Sequence, residues 1–201
     1  MARPTDKNRL ARIDPGQIAA EVDRRSDAAL ERAIQQATLD GSVELVAGPE
    51  PQPVRVRLHR LRPSDIAGAA ADLCLFAQQG LCEGLGWPDA SRAADAVREL
   101  VTRLYARPVD GATDGAPLTE ALEADLGDPI ALVLVAAWAR WRLDQGQGVT
   151  ARQLGALAGL DADVVRRMGR GGGLALDGGR PAQASAEEAR RWLRARGIRG
   201  L

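Results

Sequence analysis

Glycine placement in the last quarter of the chain constrains the fold more than any other sequence feature. Gly159 separates two short stretches, residues 150–158 and 161–170, in which apolar residues recur at helical spacing. Thr150 and Asp161 are suited to begin these helices, because a side-chain oxygen can accept a hydrogen bond from a free N–H of the first turn. Glycine also tolerates the positive φ of a sharp turn. We therefore predict a helix, a tight turn and a second helix.

The residues that follow predict a β-hairpin and a further helix. The stretch 171–181 is glycine-rich and contains Leu and Ala, and Gly178-Gly179 would form the tip of the hairpin. Ser185 followed by Glu188 has the spacing of a capping box, which predicts a helix start. The apolar face of that helix would consist of Ala189, Trp192 and Leu193.

This order of elements resembles the winged helix-turn-helix domains of the excisionase and MerR-like group. That family has a small residue where the first helix is crossed, a glycine in the turn and a buried β-branched residue in the second helix. Gly155, Gly159 and Val165 occupy these three places. The resemblance covers only the last quarter of the chain, and it implies a domain that binds double-stranded DNA.

The resemblance assigns base recognition to the second helix. Arg166 and Arg167 follow Val165, so at least one of them should point toward the major groove, where arginine donates to guanine. Asp163 could accept a hydrogen bond from a cytosine amino group. However, the carboxylates of Asp161 and Asp163 lie at the start of this helix and would repel phosphate, which argues against DNA binding.

Five further residues are predicted to contact the DNA beside the recognition helix. Thr150, Arg152 and Gln153 open the first helix, which would place them beside backbone phosphates. Arg170 and Arg180 flank the predicted wing and would contact the neighbouring minor groove or its phosphates.

The neutral total charge of the chain conceals an uneven distribution. From Val149 onward there are ten arginines and five acidic residues, whereas residues 1–148 carry 17 basic and 22 acidic residues. A basic end attached to an acidic body is typical of a protein that turns one end toward phosphate. This asymmetry favours DNA binding over a purely structural role for the last quarter of the chain.

Upstream, the sequence predicts a mainly α protein. Aromatic residues make up 3% of the chain, so the core must consist largely of Ala, Leu and Val, which favours packed helices. We predict a helical domain over residues 1–106 with a small β-hairpin near 42–61, where apolar residues alternate. Residues 107–117, rich in Pro, Asp and Gly, would be a linker. Residues 118–201 would then form the winged helix-turn-helix domain.

A long apolar helix should precede the helix-turn-helix unit. Asp128-Pro129 predicts its start, and residues 130–139 are almost entirely apolar. Such a helix would support the DNA-binding unit, and Trp138 or Trp141 could lie in a dimer interface. We therefore predict a homodimer formed through the region before Val149.

The sequence offers no parts for an enzyme. His59 is the only histidine, and no nucleophile lies near it in a recognisable arrangement. We predict no catalytic residues, no cofactor and no metal site. Cys74 and Cys82 lack the spacing of a zinc site and should be reduced thiols. Without a visible signal peptide or an apolar run long enough to span a bilayer, we expect a cytoplasmic protein with no membrane partner.

Three functions remain compatible with these patterns. The first, which we favour, is a sequence-specific DNA-binding protein, namely a bacterial transcriptional regulator whose acidic amino-terminal region dimerises or receives a signal. The second is an adaptor that uses the helix-turn-helix to dock on another protein. The third is a DNA-organising factor of a mobile element, of the excisionase or partition type.

Overall fold

A computed structural model describes residues 9–39, 63–80, 85, 87, 89–105, 122, 126–198 and 200–201 of the chain. The elements in these ranges are a 3₁₀ turn (Leu10–Arg12), α1 (Pro15–Leu39), α2 (Pro63–Gln79), α3 (Ser91–Tyr105), α4 (Pro129–Asp144), β1 (Val149–Thr150), α5 (Ala151–Ala158), α6 (Ala162–Arg170), β2 (Gln183–Ala184) and α7 (Ala186–Arg194). The protein is therefore mainly helical with a small antiparallel sheet, as the composition predicts.

Several sequence predictions lie outside the described residues. These are the hairpin near 42–61, the linker 107–117, His59 and Cys82. Cys74, by contrast, lies within α2 as a buried free thiol, and burial raises its pKa to about 11, with a smaller contribution from the nearby charge of Asp14. Its thiol is therefore protonated and poorly reactive near neutral pH.

Two helices begin where an aspartate precedes a proline. Asp14 accepts a hydrogen bond of 2.8 Å from the backbone N–H of Gly16, and α1 starts at Pro15. Asp128 accepts one of 3.1 Å from the N–H of Ile130, and α4 starts at Pro129. Proline fits the first helical position because its missing N–H would have no partner there. The start of α4 at Asp128-Pro129 is therefore confirmed, and α1 begins in the same way.

Helix α4 is the centre of the core. Residues 130–140 are all buried, and α4 packs on α1, α2 and α3 as well as on α5 and α7. One continuous apolar cluster consequently extends from Leu10 in the first turn to Leu193 in α7. The described residues before 107 and after 117 share this core. α4 therefore supports the α5–α6 pair, as its position in the sequence predicts.

The burial of α4 also changes the prediction of a dimer interface there. Trp138 is 1% exposed within a single chain, and its ring lies 4.6 Å from that of Trp141, centroid to centroid. The guanidinium of Arg98 in α3 lies 5.4 Å above the Trp138 ring. Because the chain itself covers residues 130–139, Trp138 is not available as a contact to a second copy.

A buried arginine joins distant parts of the chain. Arg140 of α4 is 0% exposed, and its guanidinium donates to the carbonyl oxygens of Ala77 (3.1 Å), Gln78 (3.3 Å) and Gly200 (2.7 Å). Burial lowers its pKa to about 10, and the carboxylate of Asp144 partly opposes this effect. The charged side chain thus stabilises the C-terminal end of α2, where helix carbonyls lack partners.

A second polar cluster lies at the opposite end of α4. Both carboxylate oxygens of Asp128 accept from Arg25 of α1, at 2.6 and 3.0 Å, and one also accepts from the hydroxyl of Tyr105 at 3.0 Å. Burial alone would raise the pKa of Asp128, but hydrogen bonds from Arg25, the N–H of Ile130 and Tyr105 outweigh it and lower the pKa. One carboxylate therefore joins α1, α3 and α4.

The sheet differs from the predicted wing. β2 pairs antiparallel with β1, with Val149 opposite Ala184 and Thr150 opposite Gln183. The stretch 171–181 contains no strand of its own, so the expected two-stranded hairpin with its tip at Gly178-Gly179 is wrong in that form. Instead, the loop between α6 and α7 returns to the strand that precedes α5.

Candidate nucleic-acid interface

Helix α5 begins with a capping box. The Thr150 hydroxyl accepts a hydrogen bond of 3.2 Å from the N–H of Gln153, and the Gln153 side-chain oxygen accepts one of 3.0 Å from the N–H of Thr150. Two free donors of the first turn are satisfied in this way. The helix start at Thr150 is therefore confirmed.

The same geometry corrects the prediction that Thr150 and Gln153 face phosphates. Thr150 is 7% exposed and Gln153 is 1% exposed, and both side chains are used in the cap. A phosphate could reach neither without opening the helix start. Arg152, on the other hand, is half-buried between them, so part of its side chain is open to solvent.

The turn between α5 and α6 depends on two glycines. Gly159 has φ +67° and ends α5, as predicted. At Gly155, an added Cβ would lie 2.5 Å from the carbonyl oxygen of Leu160, which is closer than real Cβ atoms come. Gly155 thus permits the close approach of the turn to α5. Val165, 0% exposed, fixes α6 against the core on the other side of that turn.

Helix α6 presents charged side chains on its outer face. Asp163, Arg167 and Arg170 are exposed, at the spacing of one helical face, and Arg166 is half-buried beside them. The Arg166 guanidinium lies 2.5 Å from the Asp163 carboxylate, and the Arg167 Nε lies 3.4 Å from the Asp163 carbonyl oxygen. Asp161 precedes the helix as predicted, but its side chain makes no capping hydrogen bond.

The loop between α6 and α7 is organised by Asp177. Its backbone N–H donates to the carbonyl of Gln183 at 2.7 Å, and its carboxylate accepts from the N–H groups of Gln183 (2.7 Å) and Gly179 (3.1 Å). Arg180 lies in the segment enclosed by these bonds and is exposed. At the base of the loop, Leu174 is 1% exposed, so the loop is attached to the core there.

Helix α7 has only one half of the predicted capping box. The Ser185 hydroxyl accepts from the N–H of Glu188 at 3.3 Å, which confirms the helix start. The Glu188 carboxylate does not return to Ser185; it accepts from the N–H of Ala175 at 3.1 Å and pairs with Arg191. The hydrogen bonds from Arg191 and Ala175 lower the pKa of Glu188. Glu188 therefore connects the loop to α7.

One arginine beside α6 was not predicted from the sequence as a site residue. Arg196 lies just beyond α7, and its guanidinium carbon is 3.9 Å from the centre of the Trp192 ring. Its Nη2 is also 2.9 Å from the sulfur of Met168 in α6. The spacing of Trp192 and Arg196, four residues apart, was the available signal, since such pairs meet on a helix face.

The candidate interface therefore includes six arginines from four segments. These are Arg152 of α5, Arg166, Arg167 and Arg170 of α6, Arg180 of the loop and Arg196 after α7. Among the described residues, no group of three or more His, Cys, Asp or Glu side chains is arranged to hold a metal ion. In the same ranges, no helix is both long and apolar enough to cross a membrane.

No protein-family model, curated protein or solved structure matches the chain.

Proposed function

We propose that the protein is a sequence-specific DNA-binding protein, a bacterial transcriptional regulator that uses α5, α6 and the 171–182 loop as a winged helix-turn-helix. The observation that carries this proposal is the outer face of α6. Arg166, Arg167 and Arg170 lie there on a helix that is held against the core by Val165 and the Gly155–Leu160 contact. A rigid, exposed helix bearing arginines can enter the major groove.

The surrounding charges support the same function. Arg180 lies in an exposed loop on the chain segment that follows α6, where a second contact to the DNA backbone is expected. The last quarter of the chain carries ten arginines against five acidic residues, and the rest of the chain is acidic. This division would orient the protein with its basic end toward DNA.

One observation favours an adaptor as the second candidate. Asp161 and Asp163 are exposed at the amino-terminal end of α6, the part of a recognition helix that enters the groove first. Carboxylates there are unfavourable near phosphates but suit a basic protein surface. A DNA-organising factor of a mobile element differs from a regulator only in how it arranges DNA, and cooperative coating or bending would distinguish it.

We further propose that the regulator acts as a homodimer, because a single unit of this type makes few base contacts and two half-sites raise affinity. The covered residues 130–139 cannot supply the contact, so the dimer must use another surface. Light scattering at high protein concentration, with and without DNA, measures the oligomeric state. A monomer in both conditions would contradict this part of the proposal.

The function is tested by selecting duplexes bound by the full chain from a genomic DNA pool and measuring their affinity by fluorescence anisotropy. The variant Arg166→Ala/Arg167→Ala should lose sequence preference, with a cost of about 1–3 kcal/mol for each base contact removed. Arg24→Ala/Arg92→Ala removes the same charge from exposed positions on α1 and α3 and should bind as wild type does. If Arg166→Ala/Arg167→Ala binds the selected duplex as tightly as wild type does, α6 does not face DNA and the adaptor becomes the favoured function.

A further inference from the structure

We propose that Arg196 binds a DNA backbone phosphate and sets the position of the duplex beside α6. This inference rests on the proposed DNA-binding function and adds to it a contact that the arginines of α6 do not make. Arg196 lies in the turn 195–197 that follows α7, next to the half-buried Met168 of α6.

The side chain of Arg196 is held in place before any ligand arrives. Its guanidinium stacks 3.9 Å from the ring centre of Trp192, which is 4% exposed and fixed in the core. Its Nη2 also contacts the Met168 sulfur at 2.9 Å. An arginine that is already ordered loses less conformational freedom on binding than a free surface arginine. The stacking therefore prepares this cation for a ligand.

The partners of Arg196 leave its donors available to an anion. A thioether sulfur is a weak acceptor, and an aromatic ring contacts only the face of the guanidinium. Within the described residues, no carboxylate lies within ion-pair distance of Arg196. Nearby arginines have stronger acceptors. Arg166 and Arg191 pair with carboxylates. Arg190 and Arg194 donate to the main-chain oxygens of Leu143 and Leu201.

The position of Arg196 indicates a phosphate rather than a base. It lies beside Met168, off the charged face of Asp163, Arg166 and Arg167 that would face the bases. A guanidinium on the flank of a recognition helix can reach the backbone, and its planar set of N–H groups matches two phosphate oxygens. Such contacts fix the register of the protein on DNA without reading sequence.

The test measures affinity of the full chain for the selected duplex and for a duplex of unrelated sequence, between about 0.05 and 0.2 M salt. Arg196→Ala should weaken binding roughly three- to tenfold on both duplexes and reduce the slope of log affinity against log salt by about 0.9. Arg196→Lys should keep the slope and lose affinity, because lysine keeps the charge but loses the stacked, planar geometry.

The matched control is Arg194→Ala, which removes the same charge from a side chain that donates to the main-chain oxygen of Leu201. It should leave the salt slope unchanged. If wild type binds DNA and Arg196→Ala keeps the wild-type slope, the phosphate contact is wrong while the proposed function stands. If Arg196→Ala changes the preference between the two duplexes, the phosphate contact is also wrong. If wild type does not bind DNA, both the contact and the proposed function are wrong.

Discussion

The guanidinium of Arg140 donates a hydrogen bond of 2.7 Å to the carbonyl oxygen of Gly200, sixty residues further along the chain. The same side chain donates to two carbonyls at the end of α2. An added Cβ at Gly200 would collide with the carbonyl of Gln79, so the two backbone segments are in direct contact. The residues after α7 are thereby attached to a helix of the amino-terminal half.

Replacing Arg140 tests how much this attachment stabilises the fold. Arg140→Met keeps much of the buried volume but leaves three carbonyl oxygens without their donor, so the free energy of unfolding should fall by about 3 kcal/mol. Urea denaturation measures it. Arg191→Met removes an arginine that is 74% exposed and pairs with Glu188, and a loss of at most about 1 kcal/mol is expected. Equal effects would contradict a special role for Arg140.

Gly155 and Gly68 provide a matched pair of glycine substitutions. Gly155→Ala places a Cβ against the Leu160 carbonyl and should destabilise the protein by about 1–3 kcal/mol, because the turn must open. Gly68 lies in α2 with no atom within 4 Å of an added Cβ, so Gly68→Ala should stabilise by up to about 1 kcal/mol. Thermal unfolding followed by circular dichroism compares them. A neutral Gly155→Ala would mean that the turn is not tightly packed.

The Asp128 cluster predicts a pH-dependent contribution to stability. Because the pKa of Asp128 is held below its usual value of 3.8, its charge stabilises the fold at higher pH, and this contribution is lost as pH falls through the lowered pKa. Asp128→Asn can still cap α4, so the variant removes mainly the ionic contacts. We expect a loss of about 2–3 kcal/mol near pH 7 that shrinks below about pH 4.

Urea denaturation over a pH series measures this difference. Asp95→Asn is the control, since the Asp95 side chain is 62% exposed and pairs with Arg98 at the surface. Its effect on the free energy of unfolding should be small. If the difference between wild type and Asp128→Asn stayed the same down to strongly acidic pH, the Arg25 and Tyr105 contacts would not control this carboxylate.

Asp163 should limit the affinity of α6 for DNA. Its carboxylate is 84% exposed and pairs with Arg166. Under the proposed function it would both repel phosphate and occupy an arginine assigned to base reading. Asp163→Asn should strengthen binding to unrelated duplexes roughly three- to tenfold, through removal of one negative charge. Preference for the selected duplex should decline. Asp95→Asn, on α3, carries the same charge change and should alter neither quantity, as anisotropy titrations at one salt concentration can show.

Local chemistry made part of this structure predictable. The helix starts at Asp128-Pro129, Thr150 and Ser185 and the positive φ of Gly159 each depend on residues a few positions apart. The residues that determine each of these features therefore lie close together in the sequence. The steric role of Gly155 belongs to the same group, because its contact with Leu160 is only five residues distant.

Non-local contacts account for what sequence reasoning missed. The strand β2 has two residues, too few to show an alternating pattern, and its partner lies more than thirty residues earlier. Arg140 follows an apolar run and gives no sign that it is buried, since its carbonyl partners come from α2 and Gly200. The burial of Gln153 was also not predicted. Its side chain was assigned to a phosphate contact, whereas it accepts a hydrogen bond from the N–H of Thr150.

The closed base of the 171–182 loop separates the part of the chain that is attached to the core from the exposed residues 178–181. Strand pairing and the Asp177–Gln183 bonds hold both ends of the loop, while the four residues 178–181 between them are all exposed. Exchanging or lengthening these four residues would leave the positions of α5 and α6 intact. The segment 178–181 is therefore a place where the fold tolerates insertions and changes of charge, and a laboratory could graft a label or a charged peptide there without disturbing α5 and α6.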